Sequence, residues 1–456
     1  MKPIIIAGGV AAGMSAASSL KREIPEAEVI VYTKEDYISY GACGMPYYIS
    51  GEIEYSDSLI VLTPEQAEKS RKVNVKTGHE VVGIDPESKQ VSVKKRGVEN
   101  EWQVEYEKLV IATGASSIIP NLENINLEGV FSLKEYQSGI EIRSFIENKN
   151  PKNAVIIGGG YIGAEMAESL GKRGINVTLV EALPQVLTLL DSDMSKLVQS
   201  ELEANDVTVY TGKKVTAIKG SKKAEGAILD DGTSVPADMV MVSIGVKPNT
   251  EIAEKAGIQL GDRRAIVTDR YQRTSYPDIF AAGDCAASYH TLLKQMVYIP
   301  LALPANRQGK LCAENITAEI KQKEFSPFPG VLGTAMTKVF NIEIGKTGIG
   351  DADIQKYQLS NIDSVKIQSM DKAGYYPGSS RMWVKLYFDK QTGIIVGAQI
   401  VGRNNTVLRL NTLVAAITAQ MTVQQVYNMD TGYAPPFSPV WDPVLIAARK
   451  ATKRLT

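Results

Sequence analysis

Short apolar runs, each closed by a glycine-rich turn, set the rhythm of this chain. Ile4-Ile5-Ile6-Ala7 leads into Gly8-Gly9-Val10-Ala11-Ala12-Gly13, and Val155-Ile156-Ile157 leads into Gly158-Gly159-Gly160-Tyr161-Ile162-Gly163. An apolar run of that length, bounded by glycine, predicts a buried parallel strand. Behind the first turn, Met14 to Arg22 predicts a helix and Glu28 to Thr33 a second strand. Behind the second turn, Ala164 to Lys172 and Val177 to Val180 repeat that order. Each repeat predicts the βαβ unit that lays a pyrophosphate on a helix N-terminus. From residue 323 onward the period changes: Met382-Trp383-Val384-Lys385-Leu386-Tyr387-Phe388 alternates and predicts an antiparallel sheet.

The two turns are not equal. The second has glycine at all three positions of Gly-x-Gly-x-x-Gly, Gly158, Gly160 and Gly163, and the strand behind it ends in Glu181. A carboxylate there takes both ribose hydroxyls of NAD and repels the 2′-phosphate of NADP. No arginine follows it closely, so NADH is the expected donor. The first turn has Val10 at the middle glycine position and Thr33 where the acid is expected, with Glu35 and Asp36 just beyond. Glycine-rich strand–helix turns also occur without ligands, so the first motif alone leaves both readings open. Two further segments predict buried strands with small-residue turns: Leu109 to Ala115, which includes Ala112, Thr113 and Gly114, and Tyr276 to Asp284. Asp284 falls at a strand's C-terminal end, where ligands sit in α/β sheets.

Composition narrows the chemistry. At 456 residues the chain exceeds one ordinary core and suggests about three domains. A formal net charge of -1 gives no nucleic-acid footprint, and the longest apolar runs are far shorter than a membrane span. The N-terminus lacks a secretory pattern, so a cytoplasmic location is expected. Three cysteines and two histidines supply no disulfide framework, metal spacing or Ser-His-Asp triad. Chemistry must then come from a cofactor or a thiol. Cys43, within Ser39-Tyr40-Gly41-Ala42-Cys43-Gly44-Met45-Pro46-Tyr47-Tyr48, follows a predicted strand and opens a predicted helix. A helix N-terminus lowers a thiol pKa, so a reactive thiolate is expected; a small residue packed in a turn is the alternative. Cys285 and Cys312 are expected in the core.

Taken together, these segments resemble the pyridine nucleotide-disulfide oxidoreductases over nearly the whole chain. The resemblance implies an α/β fold with two Rossmann-like domains, for FAD and NAD(P)H, and a C-terminal α+β dimerisation domain. It implies a discontinuous FAD domain (residues 1–118 and 250–322), an NAD(P)H domain (119–249) and a dimerisation domain (323–456). By the same resemblance Gly8, Gly13, Thr33, Ala112, Thr113, Gly114 and Asp284 contact FAD. Gly158, Gly160, Tyr161, Gly163 and Glu181 contact NAD(P)H, and Gly245 begins the return to the FAD domain.

Cysteine count then selects a branch. Enzymes similar to glutathione reductase carry a second cysteine five positions on, which here is Tyr48, and a C-terminal histidine, which is missing. NADH oxidases and peroxidases use a lone cysteine as a sulfenic acid and place a histidine in the first turn; Gly9-Val10-Ala11-Ala12 has none. Coenzyme A disulfide reductases and their persulfide- and polysulfide-reducing relatives form a mixed disulfide with coenzyme A. Their two tyrosine motifs are matched by Tyr375-Tyr376-Pro377-Gly378 and Tyr433-Ala434-Pro435-Pro436. That match implies a homodimer in which Tyr376 and Tyr433 face Cys43 across the interface, although Tyr-Pro turns also simply shape interfaces. Positions matching the coenzyme A site are Ser15, Ser19, Arg22, Ser39, Ala42 and either Arg71 or Lys72, of which Lys72 is preferred. Asn306 and Lys372 stand where some members have histidine, and no C-terminal rhodanese domain is expected after Thr456. An NADH oxidase or peroxidase is the alternative function, and a flavin-bound redox sensor or electron-transfer protein the third.

Overall fold

The computed structural model describes residues 1–455. Its first five-stranded sheet runs in the order Ile279–Ala281, Lys108–Ile111, Ile4–Ala7, Val29–Thr33, Asn74–Thr77, with every neighbour parallel. Ile4 and Ile6 face a cluster built on the helix Ala11–Glu23, while Ile5 and Ala7 face Val91 and Val93 of a small antiparallel sheet. The strand is apolar throughout because both of its faces are covered. A second parallel sheet repeats the plan in the order Thr208–Thr211, Asn176–Glu181, Asn153–Ile157, Met239–Val242, Val130–Ser132. The third is antiparallel: Ala335–Val339, Ile342–Gly348, Ile395–Gly402, Arg381–Asp389, Ile362–Met370. The fold is α/β with an α+β C-terminal part: the apolar pattern predicts the parallel and antiparallel sheets, and the family resemblance implies the α+β part.

Helices begin earlier than the pattern suggests: Ala11–Glu23 and Tyr161–Lys172. The third glycine of each motif lies inside the first helical turn, so the motif overlaps the helix and does not precede it. The predicted strand from Leu109 is also split. Lys108–Ile111 stays in the first sheet, and Ala115–Ser117 pairs antiparallel with Val246–Pro248. At that two-stranded ribbon the chain leaves the first unit and returns beside itself.

One packing relation is unexpected. Tyr40, Met45 and Ile49 of the Cys43 segment are buried in the cluster formed by the second sheet's helices, alongside Ile142, Met166 and Leu170. Full burial of Met45 and Ile49 is worth about 1.5–3 kcal/mol each. The approach is close: a Cβ at Gly139 would lie 2.4 Å from the Met45 sulfur. In sequence the helix after the cysteine belongs to the first unit, but it packs against the second. Among the described residues no helix is long and apolar enough to cross a membrane.

Candidate active site

The two glycine-rich turns share one geometry. Gly8 (φ +121°) and Gly158 (φ +105°) need the left-handed region, and a Cβ at either would strike the next strand's backbone, Ala112 at 2.0 Å or Ser243 at 2.6 Å. A Cβ at Gly13 or Gly163 would lie 1.9 or 2.0 Å from the carbonyl oxygen of Gly8 or Gly158. At Gly160 a Cβ meets nothing within 4 Å. That open side is the space a pyrophosphate needs beside the backbone. Val10 fills the equivalent position of the first turn and packs toward the second unit's core.

The strand ends differ as well. Glu181 is buried, and its carboxylate accepts from Gly159 N at 2.6 Å and Leu183 N at 2.8 Å, which ties it to the turn it serves. Thr33 is buried against Gly9. The acid on the cavity wall at that end is Glu35, whose carboxylate accepts from the Tyr40 hydroxyl at 2.8 Å. Burial pushes the Glu35 carboxyl up.

Cys43 lies in the 3-10 turn Ala42–Gly44, which runs directly into the short helix Met45–Ser50. Cys43 is exposed to solvent, although protein surrounds much of the thiol. That crowding overturns the expected low thiol pKa. Burial pushes the thiol up, and the Glu165 carboxylate adds to the shift; Lys134 opposes it, and Asp284 raises it further. Glu165 is itself pushed up by burial and accepts from the Thr337 hydroxyl. Lys134 Nζ pairs with Asp284 at 2.9 Å, so Asp284 meets the cavity with one oxygen already engaged. Tyr161, one helical turn before Glu165, has its phenol pushed up to about 12 by burial. Cys285 and Cys312 are fully buried, as expected of core residues.

A single cavity of about 1920 Å³ joins these parts. Gly8, Thr33, Ala112, Thr113, Gly114, Gly158, Gly160, Tyr161, Glu181, Gly245, Asp284, Ala42 and Cys43 all line it. Gly13 and Gly163 sit behind the wall, where they allow the turns to close. Ser15, Ser19 and Arg22 lie along one face of Ala11–Glu23, outside the cavity. Arg22 donates to the Ser19 hydroxyl at 3.0 Å, and Ser15 donates to Asn306 at 2.7 Å. Arg71, and not Lys72, reaches this face, donating to the Ser18 hydroxyl at 2.8 Å. Lys72 forms the left-handed end of its helix, and Ser39 is held by its backbone to Gly9 and Val61. Tyr376 and Tyr433 are 37% and 46% exposed and lie away from this chain's own cavity. Tyr433 pairs through its hydroxyl with Tyr375 at 3.2 Å, while the Lys372 ammonium sits over the Tyr376 ring.

Comparison with known proteins places this geometry. The family model for pyridine nucleotide-disulphide oxidoreductases matches residues 2–309, and that for the family's dimerisation domain matches 334–443. The chain belongs to this family. It is 36% identical over 449 residues to the NAD(P)H coenzyme A polysulfide/persulfide reductase of Pyrococcus horikoshii, covering 98% of both chains. It is equally 36% identical, over 458 residues and 100% of both chains, to the NADH oxidase of Methanocaldococcus jannaschii. Its fold matches the solved structure of reduced CoADR-RHD from Bacillus anthracis with a TM-score of 0.95 and 34% identity, covering 100% of this chain and 80% of that one. Members of the pyridine nucleotide-disulphide oxidoreductases use FAD and NAD(P)H. The cradles at Gly8 and Gly158, each too tight for a side chain, and the open flank of Gly160 suit two dinucleotides.

Sequence reasoning missed Lys134 and Glu165 as residues of this oxidoreductase's site and noted Glu35 only as an acid just beyond Thr33. Glu165 had a signal, since it lies four residues after Tyr161 on the helix that starts in the second turn. Lys134 had none, because its partner Asp284 lies 150 positions away.

Proposed function

We propose that this oxidoreductase uses NADH to reduce coenzyme A disulfide, or coenzyme A persulfide or polysulfide, through Cys43. One observation carries the reading: the Cys43 sulfur opens into the cavity that both glycine-rich turns and Asp284 line. In this reading residues 1–118 and 250–322 hold FAD, 119–249 hold NADH, and 323–456 form the dimer contact. FAD, when bound, supplies the passage of two electrons from nicotinamide to sulfur. Glu181, fixed by two backbone amides, favours NADH over NADPH through charge repulsion of the 2′-phosphate.

Cys43 thiolate attacks the substrate disulfide, forms a mixed disulfide with one coenzyme A and expels the other as thiolate. Two electrons then cleave the mixed disulfide to a second coenzyme A thiolate and the Cys43 thiolate. Each leaving thiolate is stabilised by a hydrogen-bond donor or a proton. Tyr376 and Tyr433 supply that donor from the second subunit of a homodimer; their exposure in a single chain supports this role. Arg22 and Arg71, or Lys72 beside it, meet the anionic adenosine diphosphate end of coenzyme A, with Ser15 and Ser19 alongside and Ser39 and Ala42 near the thiol. The cytoplasm suits an enzyme with three free cysteines.

The relative named NADH oxidase supports a second reading, in which Cys43 cycles as a sulfenic acid. Reduction and denaturation of the isolated protein separates the two. Release of about one coenzyme A per subunit supports the mixed disulfide. No released thiol, with oxygen uptake accounting for all NADH oxidised, replaces it with the oxidase. Turnover that survives Cys43→Ser makes the cysteine incidental, as a flavin-bound redox sensor or electron-transfer protein requires.

A further inference from the structure

The helix that follows Cys43, Met45–Ser50, ends at Gly51 (φ +92°), whose N–H donates back to the Tyr48 carbonyl, while Ile53 N–H donates to the Tyr47 carbonyl. Arg143 adds a side-chain donor to this end and to the stretch of chain just beyond it. From the helix Tyr136–Lys149 of the second unit, its Nη1 donates to the carbonyl oxygens of Tyr48 at 3.0 Å, Ile53 at 3.1 Å and Glu54 at 3.0 Å. The guanidinium also lies 4.4 Å from the centre of the Tyr48 ring. Nε donates to Glu147 at 2.8 Å, and Arg173 holds the same carboxylate at 3.0 Å, which sets the direction of the fork. Farther up the helix, the Ser169 hydroxyl donates to the Pro46 carbonyl at 2.9 Å.

We propose that Arg143 is a positioning residue for Cys43, fixing the reactive turn against the NADH-binding unit. It touches neither the thiol nor the cavity. It acts through the intervening helix, where a cation at the C-terminal end complements the backbone dipole, and its bonds to Tyr48, Ile53 and Glu54 tie that helix end to the chain just beyond it. The inference rests on Cys43 being the reacting thiol, as proposed above.

The test follows Cys43 alkylation by iodoacetamide against pH in the FAD-loaded enzyme, with Cys43→Ser as the blank. Arg143→Met is expected to move the alkylation midpoint upward and to slow disulfide turnover about tenfold. NADH-dependent dye reduction, which needs only the flavin, is expected to stay within about twofold of the parent. Arg143→Lys keeps the charge but loses the fork and the stack, so an intermediate midpoint is expected. Midpoints equal to the parent's in both variants overturn the inference, as does a fall in dye reduction matching the fall in alkylation. Alkylation requires no choice of acceptor, so disulfide turnover by Cys43→Ser would defeat the functional reading separately.

Discussion

The first and second glycine-rich turns are built alike at their outer glycines and differ at the middle position and at the strand end. In both, the outer glycines answer to internal packing, because a Cβ there strikes the turn's own carbonyl or the next strand. Such glycines report that a turn is tight, whatever it holds. The middle position and the strand end carry the information about the ligand. Val10 with Thr33 marks one site, and the open Gly160 with Glu181 marks the other.

The strongest way to break the comparison is to crowd the outer glycines. Gly13→Val and Gly163→Val each force overpacking worth about 1–3 kcal/mol or more. Gly13→Val is expected to emerge without flavin absorbance, while Gly163→Val keeps FAD and fails to be reduced by NADH. Equal loss of FAD from both would show that the turns do not divide the cofactors. Next in size, Glu181→Gln removes the repelling charge and is expected to lower the NADH to NADPH ratio of kcat/KM by about tenfold. An unchanged ratio would place coenzyme choice elsewhere.

Gly160→Ala sharpens the contrast at the middle position. Its Cβ meets no protein atom, so the melting temperature should hold while KM for NADH rises several-fold, by roughly 1 kcal/mol. Val10→Gly should do the reverse, keeping FAD but costing about 0.5–1 kcal/mol in unfolding free energy. The smallest effect concerns the thiol between the turns. Glu165 raises the Cys43 pKa and Lys134 lowers it. Glu165→Gln is therefore expected to move the alkylation midpoint down and Lys134→Met to move it up, and shifts of the same sign would exclude this electrostatic account.

Local pattern made the sheets and turns legible. Ile4 to Ala7 and Val155 to Ile157 each had a strand period, a glycine turn and a helix within a few residues of one another. The spacing of Ser15, Ser19 and Arg22 likewise put them on one helical face. What escaped were relations between units. The thiol shift depends first on burial and then on Glu165, more than a hundred residues away. No residue near Cys43 announces that burial. Arg71 and Lys72 were indistinguishable by charge, and only the helix end at Lys72 decides which one reaches the first helix.

The ribbon of Ala115–Ser117 and Val246–Pro248 has a consequence for building hybrids of this enzyme. Entry and exit of the second unit lie side by side, the arrangement that lets a guest segment be spliced into a host with little strain. The second unit of a relative, transplanted whole, would therefore join smoothly at both seams. Its success would be decided elsewhere, because the host's cysteine helix needs a seat in the guest: a notch like Gly139 for Met45, and a cation like Arg143 for the carbonyls beyond it. Grafts lacking that seat are expected to bind both cofactors and still leave the thiol out of register.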